Sequence, residues 1–542
     1  MNKKIVFLIL ATIFSISLFL RLYHIDLLPL YADEVGGHYE FLGKLIKTGN
    51  PFFGFFSYTW LFGLTPLGAR FAAALYGSLV SAALYFFAKA VGKKNNTSIL
   101  TAGLGAITPW SFMVGRIGHS FVPVFILLIV FHLYFFIHST KIRDYLTSLV
   151  FLGLASLIYP SMVIITPIVL VFVTAAIFKL IPQKGRIPVL VLASLILTVC
   201  GLVLVKRYDV LSLGGRGLDL AIWNDINTPW EIDKFRAFSW NSSPSIFSFN
   251  LPPEQLANKI FLNRATANLS IFTKNYLSFF SPDWLFQKGD PILRHSTGMV
   301  GALYPFLLPF MLYGAFRFFQ TSDRKKKLTF MLWILISPVP AAITKDGAGY
   351  LLRVVTMLPF LTYFCALGIV DSFNLIHKRL KPYYFIFLSL IFIYSVYYFL
   401  YGYFHVYPAL SARAYEYGFR ELSDFQVSHE NKTMLIVWDG YYHNNDFRFW
   451  QKTPFDQYES FKIKQIVIGE STFWQTFPNL YFSSPKSVDE TKVFIKQYHP
   501  DYIVLPDRYF VKYPMEIETL LTPIEKIKYP DQTTALTIYT VK

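Results

Sequence analysis

Asp33 and Glu34 stand side by side in the stretch Pro29-Leu30-Tyr31-Ala32-Asp33-Glu34-Val35-Gly36-Gly37-His38-Tyr39, just after the first long apolar run. A carboxylate within hydrogen-bond reach can take the proton that a hydroxyl or amine sheds as it attacks an electrophilic carbon. Two adjacent carboxylates also repel, which raises one pKa and makes that group a better base near neutrality. A structural reading fits the same residues: an exposed acidic turn whose Asp caps a helix starting near Val35.

Three basic sites accompany the acidic pair. Arg116 lies in Thr108-Pro109-Trp110-Ser111-Phe112-Met113-Val114-Gly115-Arg116-Ile117-Gly118-His119. It suits an anionic headgroup, with His119 as an added donor or proton relay, or it snorkels to lipid phosphate. Lys288, Arg294 and His295 fall in the polar run Pro282 to Ser296. They can grip phosphate, or form an interfacial turn with a snorkelling anchor. Arg353 stands just inside an apolar run after Thr344-Lys345-Asp346-Gly347-Ala348-Gly349-Tyr350. A charge at the end of a membrane helix is a functional candidate by default.

The elements that must position these residues are membrane helices. Of 542 residues, 54% are hydrophobic and 15% charged, against about 25% charged in soluble domains. The apolar residues come in long runs, which identifies a polytopic membrane protein. The net charge of +17 sits largely in short Lys/Arg clusters between those runs, a topology signal that argues against nucleic acid as partner. Cys200 and Cys365 lie inside apolar runs and read as buried thiols with no disulfide framework. The first run, Ile5 to Leu20, lacks a small-residue cleavage site and continues into Arg21-Leu22-Tyr23, so it reads as a retained helix.

Eleven spans are expected, near 5–22, 69–91, 98–112, 121–138, 145–160, 161–180, 188–205, 299–319, 328–343, 352–376 and 383–404. With Lys3 and Lys4 inside, every even-numbered connection carries a basic cluster. These are Lys93 and Lys94; Lys141 and Arg143; Lys184 and Arg186; Arg324 to Lys327; and Lys378, Arg379 and Lys381. The agreement with the positive-inside rule puts the amino terminus in the cytoplasm and residues 406–542 outside.

The external regions are then loop 23–68, loop 206–298 and the tail. Tyr39 to Lys47 is expected to lie along the membrane, and Glu254 to Phe280 along the interface. The tail reads as a small α/β domain. Met434–Trp438, Ile463–Ile468, Tyr502–Leu505 and Ala535–Val541 are strand-like, and a helix over Ala412–Phe425 joins it to the membrane. A capping box at Ser487-Val488-Asp489-Glu490 opens a helix through Tyr498. The sequence shows no repeats, low-complexity tracts, Gly-rich phosphate loops or metal-spaced Cys/His sets. Four Asn-x-Ser/Thr pieces, at Asn96, Asn241, Asn268 and Asn431, carry little information.

Over residues 1 to about 405 the chain resembles the membrane glycosyltransferases of the C superfamily, in the branch of the protein O-mannosyltransferases and lipid A aminoarabinose transferases. The resemblance rests on the Arg21 to Pro29 lead-in, Asp33-Glu34, Pro109-Trp110 with Arg116, Phe280 to Asp290 with Arg294-His295-Ser296, and Pro338 to Arg353. Tyr417-Gly418-Phe419-Arg420-Glu421 looks typical of a bacterial group within that branch. The resemblance implies a multi-pass protein of the cell membrane with a transmembrane catalytic domain, 1–405; residues 406–542 are the extracytoplasmic α/β domain expected from the strand pattern and the span count. It implies a polyprenyl-phosphate-linked sugar donor and an acceptor (protein, lipid or polysaccharide) on the outer face.

Asp33 matches the family's catalytic acid–base position. Some relatives carry a further acid in a later external loop; Gly118 and His119 stand here instead, which leaves Glu34 as the second carboxylate. Related branches differ over a divalent metal, and no clear ligand set is visible. The expected chemistry is inverting transfer with Asp33 as base, Glu34 tuning it, and Arg116, Lys288, Arg294, His295 and Arg353 on the donor phosphate. The alternative is a transporter or flippase of lipid-linked sugars. Such proteins more often carry charges near mid-bilayer and related halves with broken helices, and neither is evident.

Overall fold

The computed structural model describes residues 2–92, 94–138, 141–180, 186–208, 220–225, 227–241, 260–438, 444–454, 461–506 and 521–541. Lys93, Lys184 and the Glu254–Lys259 part of the expected interfacial helix lie outside them. The chain divides into two compact units. One holds Met1–Leu20, Leu75–Gly115 and Phe121–Phe399; the other holds Arg21–Ala74, Arg116–Ser120 and Leu400–Lys542.

The first unit is helical. Among the described residues, six helices are long and apolar enough to cross a membrane: Lys3–Leu22, Pro66–Gly92, Phe121–His138, Arg186–Val203, Leu351–Leu375 and Lys378–Ser411. Pro160–Ala176 is a shorter apolar helix. Helices also occupy the other expected spans, but prolines reshape several of them. The expected span 98–112 is a helix Asn95–Ile107 that breaks at Thr108 and restarts at Pro109. The expected span 299–319 becomes helical only from Pro305, and α-helical over Leu308–Thr321. Arg324–Ile336 stops before Pro338, and a short turn Val339–Ala342 follows. Proline lacks an N–H and clashes with the preceding turn, so it favours the first turn of a helix, although Pro167 lies inside helix Pro160–Leu180.

Packing in this unit relies on aromatic rings and small residues. Phe318 stacks on Phe330 at 4.1 Å, and Phe360 meets Phe330 edge-on at 4.7 Å. Leu308–Thr321 crosses Leu358–Leu375 at Gly314 and Gly368, where a Cβ would strike the carbonyl oxygens of Phe364 and Phe310. Backbones approach this closely in membranes where side chains are smallest. His132 and Ser148 clasp neighbouring helices: His132 Nδ1 meets the Ser148 carbonyl at 3.0 Å, and Ser148 Oγ donates to the His132 carbonyl at 3.1 Å. The expected interfacial helix begins, in its described part, at Arg264; Asn263 caps it by accepting from Ala265 and Thr266 N–H.

The second unit contains a seven-stranded mixed sheet in the order β2-β3-β4-β1-β5-β7-β6. The strands are β1 (Met434–Val437), β2 (Lys464–Ile468), β3 (Ser471–Phe477), β4 (Leu480–Ser483), β5 (Tyr502–Pro506), β6 (Leu521–Lys528) and β7 (Thr534–Val541). β1 pairs in parallel with β4 and β5; the outer pairings are antiparallel. Four strands coincide with the expected ones, and β3, β4 and β6 are additional. β6 carries Pro523, Glu525, Lys526 and Lys528 at a sheet edge. Charges and proline are depleted from central strands and tolerated at edges, which is why β6 is weak as a sequence pattern. Ser487 caps the helix Val488–Tyr498, as the sequence predicts. The expected helix Ala412–Phe425 instead starts at Phe419, after Gly418 at φ 110°, and runs to Ser428.

Candidate active site

The acidic pair lies in the second unit, inside the first turn of helix Ala32–Thr48 rather than ahead of a helix. Tyr31 is the N-cap, a residue type without strong capping preference, so the true start is easily missed. Glu34 reaches back to the Tyr31 N–H at 3.4 Å. The two carboxylates take opposite environments. Asp33 is exposed and has no hydrogen-bond or ion-pair partner among the described residues. Glu34 is buried beneath it.

Arg70 explains why Glu34 can be buried. Its Nη2 lies 2.7 Å from one carboxylate oxygen and its Nε 3.1 Å from the other, a bidentate pair. The same guanidinium donates to the carbonyls of Ile25, Leu28 and Pro29 at 3.0, 2.9 and 2.7 Å. One cation therefore fastens both the lead-in and the acidic helix. The Gly118 N–H adds a 2.5 Å bond to Glu34. Burial pushes the Glu34 carboxyl up, but the Arg70 charge and the hydrogen bonds from Arg70 and Gly118 outweigh it and hold the pKa below the ordinary value. The base tuned upward by mutual repulsion is thus not Glu34. Arg70 went unnoticed in the sequence, although its charge just inside the expected span 69–91 was a usable signal.

His38 sits one turn after Glu34 on the same face. Its Nε2 donates to the Gly118 carbonyl at 2.8 Å. Burial pushes this imidazole down to about 4, so it is neutral at physiological pH. Glu34 and His38 therefore hold both backbone polar groups of a single residue, Gly118. A Cβ at Gly118 would come within 2.9 Å of His38 Nε2 and 3.0 Å of Glu34 Oε1. Gly118→Ala is expected to cost about 1–3 kcal/mol by overpacking, read as a lower thermal midpoint in detergent.

The loop around Gly118 carries two expected site residues. His119 Nε2 is 2.6 Å from the Tyr31 hydroxyl. Arg116 is buried and turned inward. It donates to the Tyr403 hydroxyl at 2.8 Å and to the carbonyls of Arg21, Tyr23 and His24 at 3.1, 2.7 and 2.7 Å. These carbonyls lie at and just past the carboxy-terminal end of helix Lys3–Leu22, where unsatisfied oxygens and the helix dipole favour a cation. The structure thus places Arg116 as a helix clasp, not as a surface anion grip.

Glu416 was not anticipated. Its carboxylate accepts from the Ala32 N–H at 2.8 Å, which puts a second acid at the start of the Asp33 helix. Its φ of 53° is a left-handed conformation that a non-glycine residue adopts at a cost, and such positions cluster at functional sites.

The other expected basic residues belong to the first unit. Lys288 is exposed and lies 3.5 Å from Asp283. Arg294 is half-buried, and His295 is buried with its Nδ1 2.8 Å from Asp290. Arg353 meets both Asp346 oxygens at 2.9 and 3.3 Å, and its guanidinium lies 4.2 Å from the Tyr350 ring centre. No cluster of three or more His, Cys, Asp or Glu side chains arranged for a metal exists among the described residues.

Residues 53–205 match the family model described as dolichyl-phosphate-mannose-protein mannosyltransferase. No curated protein matches the chain. Among solved structures it is similar to the archaeal oligosaccharyltransferase AglB from Archaeoglobus fulgidus, determined with an inhibitory peptide and a dolichol-phosphate. That similarity has 12% identity, a TM-score of 0.49, and coverage of 99% of this chain and 74% of that one. It is also similar to ArnT from Cupriavidus metallidurans in the apo state, at 11% identity and a TM-score of 0.39, over 98% of this chain and 97% of that one.

Proposed function

We propose that the chain is a membrane glycosyltransferase of the C superfamily, which moves a sugar from a polyprenyl-phosphate carrier to an acceptor on the extracytoplasmic face by inverting single displacement. The observation that carries the reading is the contrast within the acidic pair. Glu34 is spent on Arg70, Gly118 and the helix start, whereas Asp33, held by the same turn, is exposed and unengaged. A base must be rigidly placed and still open to substrate, and Asp33 meets both demands.

Asp33 takes the acceptor's proton as the acceptor oxygen or nitrogen bonds to the anomeric carbon. The bond from that carbon to the phosphate oxygen breaks, and the electron pair leaves with the phosphate. Negative charge grows on the leaving group, where Lys288, Arg294 and Arg353 stabilise it. His295 and Arg116 serve as supports, each within its own unit. The reading includes eleven spans, a cytoplasmic amino terminus and an external tail, in keeping with the positive-inside pattern.

The test uses purified protein in liposomes with radiolabelled polyprenyl-phosphate sugar and candidate peptide, lipid and polysaccharide acceptors. Label in a new glycosidic product supports transfer. Movement of labelled lipid between leaflets without such a product would establish a flippase instead.

A further inference from the structure

Asp290 lies outside every role assigned so far, yet three groups of the first unit converge on it. One carboxylate oxygen accepts from the Ile292 N–H at 2.7 Å. The other meets His295 Nδ1 at 2.8 Å and the Leu351 N–H at 2.7 Å. Asp290 and His295 are both buried. A carboxylate on Nδ1 fixes the ring orientation and the tautomer, leaving the Nε2 lone pair free. His295 borders a cavity with room for about one water, lined also by Trp110, Met113 and Trp284.

The imidazole packs on Tyr350, ring centres 4.9 Å apart, and Arg353 lies on that same Tyr350 ring. The turn that carries Tyr350 is pinned again by its neighbours. Trp284 Nε1 donates to the Gly349 carbonyl at 2.7 Å, and Ser278 Oγ accepts from the Gly349 N–H at 3.0 Å. Gly349 has φ 75°, and a Cβ there would come within 2.7 Å of Pro291 Cδ. A chain of contacts thus runs from a buried carboxylate to a guanidinium that is only partly exposed: Asp290, His295, Tyr350, Arg353.

We propose that Asp290 is a positioning residue: through His295 and the Leu351 amide it sets the Tyr350 platform that presents Arg353 to the phosphate of a lipid-linked donor. This rests on the donor reading above. Arg353 already meets the half-exposed carboxylate of Asp346 in a two-pronged pair, a geometry that equally fits two phosphate oxygens.

The experiment measures binding of farnesyl phosphate, a short sugar-free polyprenyl phosphate, to the full chain in nanodiscs. Arg353→Gln and Asp290→Asn are each expected to weaken binding about tenfold, the scale typical of losing a group that orients a ligand. The double variant should bind no more weakly than Arg353→Gln alone, because Asp290 acts through Arg353. Nitrogen NMR of histidine-labelled protein should show one His295 tautomer in the native chain and a changed one in Asp290→Asn. Tyr350→Leu should reproduce the loss with the His295 tautomer intact, and it serves as the second variant if Asp290→Asn fails to fold. If Arg353→Gln binds like the native chain, the donor reading fails. If Arg353→Gln loses binding while Asp290→Asn and Tyr350→Leu keep it, or if the two losses simply add, the positioning role fails and the donor reading stands.

Discussion

Asp33→Asn is expected to lower the turnover of sugar transfer by about 100- to 10,000-fold, the usual contribution of a general base. The amide keeps the size and polarity of the carboxyl but cannot take a proton. Asp33 is exposed and makes no hydrogen bond or ion pair among the described residues, so the fold has nothing to lose. Thermal stability should therefore stay within about 0.5 kcal/mol of the native protein. Donor binding should also persist, because the effect falls on the chemical step. Retention of more than a tenth of native turnover would remove Asp33 from the role of base. Asp33→Glu tests placement: the same group one methylene further out should recover part of the rate.

Arg70→Ala is the complementary experiment, with stability as its main readout. It leaves the Glu34 carboxylate buried without its cation and frees the carbonyls of Ile25, Leu28 and Pro29. Breaking a buried pair from one side costs about 3–5 kcal/mol, because an uncompensated charge stays behind. Transfer activity should fall with the loss of structure and return in part when Glu34→Gln is added, since the paired change removes the stranded charge. If Arg70→Ala melts like the native chain, the fastening role is wrong.

The pair also predicts acid sensitivity. Glu34 titrates below its ordinary value in the folded state. Its stabilising contribution is therefore complete above the unfolded-state value of about 4.3, and is lost as pH falls through the lower folded-state value. In Arg70→Ala this source of acid lability should disappear.

Membrane character, the tail sheet and the residues of the candidate site were legible in the sequence to different depths. Long apolar runs and basic clusters depend on composition over many residues, so they survive local exceptions. Helix ends did not: Pro109, Pro305 and Pro338 break or delay helices that hydropathy alone reads as continuous. For the candidate site residues, residue type was legible and spatial partners were not. Glu34 and Arg116 looked like reactive groups because a charge near a membrane is costly, yet that cost is met by Arg70 and by backbone carbonyls brought close only in three dimensions. Arg70 and Glu416 stand 36 and 382 residues from Glu34, and no periodicity links groups at such separations. β6 was hidden for a different reason, since an edge position relaxes the very preferences by which strands are recognised.

The sheet order bears on how the tail is made. β7 follows all the other strands along the chain, yet it sits between β5 and β6. Every earlier described strand can emerge from the ribosome while β5 still waits with one side unsatisfied. Until Thr534–Val541 arrives, β6 has no neighbour at all among the described strands. Loss of Thr534–Val541 would thus remove the keystone of the sheet, and quality-control proteases should detect that loss before any enzymatic defect could be measured.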